Sequence, residues 1–253
     1  MINVKKLLSL FLILLLTASV SVQAVTMPVL LYHNITDEPG DYNPEVHISQ
    51  ELFREHLQFL KDNNYNTITF YDYYDYRVNG TPLPENPVII TFDDGYISNY
   101  KIAFPLLKEF EFKATMFMVT NSSYFPADFP IPHFNYTQAR EMQESGYIEI
   151  VSHSAVHLVH PQLSLPELTY NIRKSYADLY FILGKTPFVY AYPTGACSNT
   201  TKEAVKKAGY KIQLSVQEKL NNDSTPLDEI KRLNIRGDHS TEVLKDLIEN
   251  SLF

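Results

Sequence analysis

The sequence predicts an α/β fold, a distorted (β/α) barrel with about seven parallel strands, and three observations carry that expectation. From residue 27 onward, short β-branched and aromatic runs alternate with segments of helical period, the pattern of βα units that feed a parallel sheet. The runs are numerous enough to close a barrel. Polar clusters stand where the apolar runs stop, on the rim where such folds gather their chemistry.

Taken in order, the expected strands lie near residues 28–32, 67–70, 88–92, 114–119, 148–151, 188–191 and 212–215, with a last short one near 233–235. Ser49 is placed to cap a helix whose Leu52, Phe53, His56, Leu57 and Leu60 share one face. Ser164 and Glu167 have capping-box spacing, Pro166 suits the first turn, and Gly184 stands where that helix should end. A further helix is expected over 200–208, stopped by Gly209. Residues 124–134 hold Pro126, Pro130 and Pro132 and read as a loop.

The 253 residues, 45% of them hydrophobic, can build one sizeable core. Residues 25–253 are therefore read as one folded unit. Residues 1–24 read as a secretory signal peptide: Lys5 and Lys6, an apolar run from Leu7 to Leu16, then Val22-Gln23-Ala24 as a small-x-small cleavage site. An uncleaved anchor is the other reading, and the only expected link to a membrane. The expected location is secreted, periplasmic or cell-envelope associated. With 29 acidic residues against 21 basic and no Lys/Arg block, nucleic acid is not an expected partner. No stable protein partner is evident. Cys197 is the only cysteine, so no intramolecular disulfide can form, and it reads as a small apolar filler.

Four strand ends carry candidate chemistry: His33, Asp93-Asp94-Gly95, His153 with His157, and Tyr192-Pro193-Thr194-Gly195. Two adjacent carboxylates repel each other in a dry site unless something compensates them, and a divalent cation would. The i, i+4 spacing of His153 and His157 puts both imidazoles on one side of a helical turn, which suits two ligands of one ion. Asp-Asp-Gly alone is commonly a solvated turn or cap, and an isolated His pair is commonly structural. Their joint occurrence at strand ends favours a metal. A site of two imidazoles and one carboxylate leaves positions open, as catalytic metals require. A metal so held acidifies water and polarises a carbonyl, bringing amide or ester hydrolysis within reach at neutral pH. The spare aspartate can take a proton, and His33 is a candidate acid for the leaving amine.

Thr91-Phe92-Asp93-Asp94-Gly95-Tyr96 and Ser152-His153-Ser154-Ala155-Val156-His157 resemble the first two motifs of the polysaccharide deacetylases of carbohydrate esterase family four, the NodB-homology domain. The resemblance spans roughly residues 27–240. It implies that Asp93 is the general base and that Asp94, His153 and His157 hold the metal. Pro193-Thr194-Gly195 is similar to the turn of the third motif, whose backbone N–H helps hold an oxyanion. Thr194 would supply that donor, and Tyr192 with Thr194 would contact substrate.

The departures are also specific. Ala191 stands where the third motif has an arginine, and Arg232, on a neighbouring strand, is the candidate substitute. The tryptophan of the fourth motif has no counterpart, because the chain contains none. The Leu-x-His of the fifth motif is found at the opposite end of the chain as Leu31-Tyr32-His33. A closed barrel accommodates this, since its first and last strands are neighbours. That arrangement resembles the branch acting on poly-N-acetylglucosamine. His160 competes with His157 as a ligand, while His56 reads as partly buried and His47 and His133 as surface residues. The resulting expectation is a metal-dependent hydrolase removing N-acetyl groups from an N-acetylglucosamine polysaccharide. Zn²⁺ is the first choice of metal, with Co²⁺, Ni²⁺ or Fe²⁺ as alternatives. Two other readings share the scaffold: an O-acetyl esterase, and a silent carbohydrate-binding protein.

Overall fold

The computed structural model describes residues 25–37, 44–121 and 131–252. The expected signal segment lies outside these residues, as does most of the loop expected over 124–134. The strands are β1 (Val29–Tyr32), β2 (Asn34–Ile35), β3 (His47–Ile48), β4 (Asn66–Thr67), β5 (Pro87–Phe92), β6 (Ala114–Met118), β7 (Ile148–Ser152), β8 (Val189–Ala191), β9 (Ile212–Leu214) and β10 (Leu233–Asn234). The α-helices are α1 (Gln50–Asp62), α2 (Phe70–Asn79), α3 (Phe104–Phe110), α4 (Tyr136–Glu144), α5 (Leu165–Leu183), α6 (Asn199–Ala208) and α7 (Thr241–Asn250).

Seven strands follow one parallel path, β10-β1-β5-β6-β7-β8-β9, with β4 paired to the start of β5. Before β10, Ile230 bridges Leu214 of β9 in parallel, and Ser215 N–H donates to the Ile230 carbonyl. The sheet thereby curls back toward its own edge, which is the expected distorted barrel. All six residues of β5 are buried, as a strand covered on both faces requires. Alternate residues face opposite ways. Val29, Ile89, Phe117, Val151, Val189 and Ile212 form an inner cluster. Leu30, Ile90, Met116 and Ile150 join an outer one with Phe53, Leu57 and Leu60 of α1. Each such buried apolar side chain stabilises by about 1.5–3 kcal/mol. Phe70 and Tyr73 of α2 plug the inner cluster from below.

The caps explain the helix boundaries. The Ser49 hydroxyl accepts from Leu52 N–H at the start of α1. Ser164 and Glu167 form the expected capping box of α5, and Gly184 ends it in left-handed conformation. The strand expected over 67–70 stops at Thr67. Thr69 instead caps α2, accepting from Asp72 N–H while the Asp72 carboxylate takes the Thr69 N–H. Here a local capping box overrides a β-prone run. No helix among the described residues is long and apolar enough to cross a membrane.

Candidate active site

Asp93 directly follows β5, is 2% exposed and points into the barrel. Its backbone then turns: Asp94 takes φ of 70° and Gly95 of 81°, and Gly95 N–H closes the turn on the Asp93 carbonyl at 2.9 Å. The turn lets adjacent carboxylates serve different neighbours. Arg232, fully buried and one residue ahead of β10, grips Asp93 with two parallel bonds, Nη1 to Oδ1 at 2.6 Å and Nη2 to Oδ2 at 2.7 Å. The Arg232 guanidinium also lies over the Phe117 ring at 5.3 Å and donates through Nε to the Ser215 carbonyl. Burial alone would raise the Asp93 pKa, but the charges of Arg232 and His153 outweigh it and keep the carboxyl below its usual range.

The segment after β7 differs from the expected helical turn. Ser154 sits at φ of 70° and the chain from His153 to His157 is an irregular loop. The Ser154 and Ala155 carbonyls accept from Thr120 and Asn121 N–H. Asn171 Oδ1 accepts from Val156 N–H. These bonds bend the segment so that the two imidazoles still converge, with ring centroids 4.9 Å apart. His153 Nε2 lies 3.4 Å and His157 Nε2 3.3 Å from Asp94 Oδ1. His153 Nδ1 is bonded to the Ala191 carbonyl at 3.0 Å. Nδ1 therefore carries a proton, and Nε2 is the nitrogen that faces Asp94.

Among the described residues, Asp94, His153 and His157 form a group whose donor atoms lie within 4.8 Å of one another. Asp94 Oδ1 is buried without a hydrogen-bond partner, an arrangement costly for a carboxylate oxygen unless a cation completes it. The donor set therefore fits a divalent metal. His160 does not compete. It is fully buried, with Nδ1 on the Leu158 carbonyl and Nε2 against the Tyr190 hydroxyl.

His33 closes β1 and couples electrostatically to Asp94, Asp93, Arg232 and His153. Burial, the largest influence, holds its pKa below the ordinary imidazole value. Parallel pairing of β1 with β10 brings the two ends of the chain together at this point. Across the rim, the Pro193–Gly195 turn holds Thr194 exposed at φ of 60°. A Cβ on Gly195 would come within 2.6 Å of the Val216 nitrogen, so this turn requires glycine. Tyr192, expected as a substrate contact, lies with its side chain in the core. Its ring is 1% exposed and its hydroxyl donates to Gln213 Oε1, because this aromatic packs with Tyr190 and Leu168 behind the rim.

Other residues near the site were missed by sequence reasoning. Asn99 donates to the His33 carbonyl at 2.7 Å and so fixes the end of β1; the π-helical turn Asn99–Ala103 that carries it left no signature in the sequence. His133, expected at the surface, is half-buried and stacks on Tyr96 at 5.1 Å, electrostatically coupled to Asp94. His47 is likewise buried, bonded through Nδ1 to Asn34 at 3.0 Å, and His56 is fully rather than partly buried.

Comparison with known proteins agrees with this geometry. Residues 80–213 match the polysaccharide deacetylase family profile. Over 195 residues the chain is 29% identical to YxkH of Bacillus subtilis (strain 168), a provisional polysaccharide deacetylase, covering 76% of this chain and 64% of that protein. It is 26% identical over 246 residues to the poly-β-1,6-N-acetyl-D-glucosamine N-deacetylase of Escherichia coli (strain K12), covering 83% of this chain and only 36% of that protein. The chain thus spans less than two thirds of the length of either relative. Its fold matches that of the Streptococcus pyogenes deacetylase PplD, solved in complex with acetate, with a TM-score of 0.80 and 26% identity, covering 90% of this chain and 100% of that one. With the profile matched over more than half of its length, the chain belongs to the polysaccharide deacetylase family.

Proposed function

We propose that this chain is a metal-dependent N-deacetylase of a β-linked N-acetylglucosamine polysaccharide, acting outside the cytoplasm on a chain of the poly-N-acetylglucosamine type. One observation carries the reading. A carboxylate clamped in its ionised form by Arg232 stands beside a second carboxylate and two imidazoles whose donor atoms converge. Asp94, His153 and His157 would hold the metal, Zn²⁺ first among the candidates. When bound, it would supply Lewis acidity to the acetyl carbonyl and to water.

The protein's own groups divide the remaining work. Asp93 takes the proton of the attacking water, its lone pairs oriented by the two bonds from Arg232. The main-chain N–H of Thr194, displayed by the left-handed turn, stabilises the oxyanion. His33 gives a proton to the leaving amine from the β1 side. The substrate class is supported by the 26% identity to the E. coli enzyme named above and by the position of Leu31-Tyr32-His33 at the end of β1. The reading includes a secreted chain whose first 24 residues are the signal segment.

Acetate release with added Zn²⁺, from poly-N-acetylglucosamine, chitooligosaccharide and peptidoglycan in parallel, tests this. Release greatest from the first is the expected result. No release from any of them by metal-loaded protein would sink the assignment.

A further inference from the structure

A cavity of about 610 Å³ opens at the end of the barrel opposite the His and Asp cluster, within the size range of small-ligand sites. Glu149 lines it, near the start of β7. Residues 149, 151 and 153 share one face of the chain, so Glu149 points into the barrel interior two positions before Val151, while His153 stands at the other end. The carboxylate accepts from Thr115 Oγ1 at 3.0 Å and from Phe70 N–H at 3.3 Å, both through Oε2. Lys185 also lines the cavity, but no salt bridge joins Glu149 to it or to any other cation among the described residues. The rim carries Tyr71, 67% exposed, whose ring lies 5.1 Å from that of Phe188. Gln143 and Thr186 add hydrogen-bonding groups to the wall.

An open aromatic face beside a carboxylate with no salt-bridge partner is the chemistry for a sugar ring bearing a positive charge. Aromatic faces receive the apolar face of a pyranose, and also attract cations. A glutamine at 149 could make the same two hydrogen bonds, so what the carboxyl adds is the capacity to become an anion for a ligand that brings a positive charge. We infer that this cavity binds a glucosamine unit with a free, protonated amine, the amine on Glu149 and the ring against Tyr71. The ligand class rests on the proposed function, whose product carries such amines. The site would hold the deacetylated part of a polymer at the end of the barrel away from the chemistry.

The test uses the full chain carrying Asp94→Ala, so that substrate is not turned over, and two probes, the β-linked pentamers of glucosamine and of N-acetylglucosamine. Titration calorimetry should give at least tenfold tighter binding of the glucosamine pentamer. Glu149→Gln should abolish that preference, and Tyr71→Ala, at an exposed position that tolerates change, should weaken both ligands. Amide chemical-shift changes should map to residues 148–150 and 186–188. Equal affinity for the two pentamers, an unchanged preference in Glu149→Gln, or shift changes confined to the Thr194 rim would each overturn the inference. Acetate release by Glu149→Gln, with Asp94 intact, should match the parent. If the parent releases no acetate while the pentamer still binds through Glu149, the deacetylase reading falls and the site stands.

Discussion

Asp93 and Glu149 are both carboxylates directed into the same barrel, at opposite ends, and their environments drive them in opposite directions. At the rim that carries the His and Asp cluster, Arg232 and His153 overcome the cost of burial and hold Asp93 ionised. At the lower end, no cation forms a salt bridge with Glu149 among the described residues, and burial pushes it up to about 7. Burial is common to both, so the difference comes from partners. Asp93 stays charged, as the base proposed for it must, whereas Glu149 is far easier to protonate near neutral pH.

The largest effect should come from taking apart the convergent donors. Asp94→Ala removes the oxygen that both imidazoles face, so acetate release should fall by roughly 10³-fold or more, with metal content dropping with it. Elemental analysis beside the activity assay separates lost metal from lost folding. His157→Gln should likewise lose metal. His160→Phe should retain it and lose about 1–3 kcal/mol of stability, since its two nitrogens serve Leu158 and Tyr190. Retained metal in His157→Gln, or metal lost in His160→Phe, would reverse the assignment of these two histidines.

Next comes the clamp on Asp93. Arg232→Met leaves a buried anion without its partner, and denaturant unfolding should report a loss of about 3–5 kcal/mol. Pairing it with Asp93→Asn should restore much of the stability and none of the activity. A double variant as unstable as the single one would mean that Arg232 contributes mainly through its packing on Phe117.

Much of the upper rim was legible because strand ends are legible: an apolar run followed by a polar cluster marks where a side chain meets the site. Asp93, Asp94, His153, His157 and Thr194 lie on such ends. Arg232 was reachable only through an absence, the small Ala191 where a charge was needed, together with the adjacency of first and last strands. The shape of the 153–157 segment was not legible, because spacing fixes how far apart two residues are and not the left-handed Ser154 between them. The direction of Tyr192 was not legible for a related reason: at a strand end the neighbouring side chains face opposite ways, and its ring faces the core. Asn99, His133 and Glu149 carry no motif, although a glutamate inside Ile148-Glu149-Ile150-Val151 was a polar residue in an apolar run whose strangeness could have been noticed.

The smallest effect is also the sharpest test of the lower end. The folded Glu149 carboxyl, at about 7, lies above the ordinary value of 4.5. Between those values the folded chain keeps a proton that the unfolded chain has lost, so stability falls as pH rises through this window and levels off above it. Glu149→Gln keeps acceptor oxygen for Thr115 and Phe70 and cannot ionise. It should therefore be more stable than the parent by on the order of 2 kcal/mol at about pH 8, and no more stable near pH 4.5. Urea unfolding at both pH values measures the difference directly. A gain of equal size at both would place the benefit in packing rather than charge and leave the two ends of the barrel electrostatically alike. Adding the glucosamine pentamer at about pH 7, where more of its amines are protonated, should narrow the gap measured there, since a bound ammonium compensates the anion in the parent and finds none in the variant.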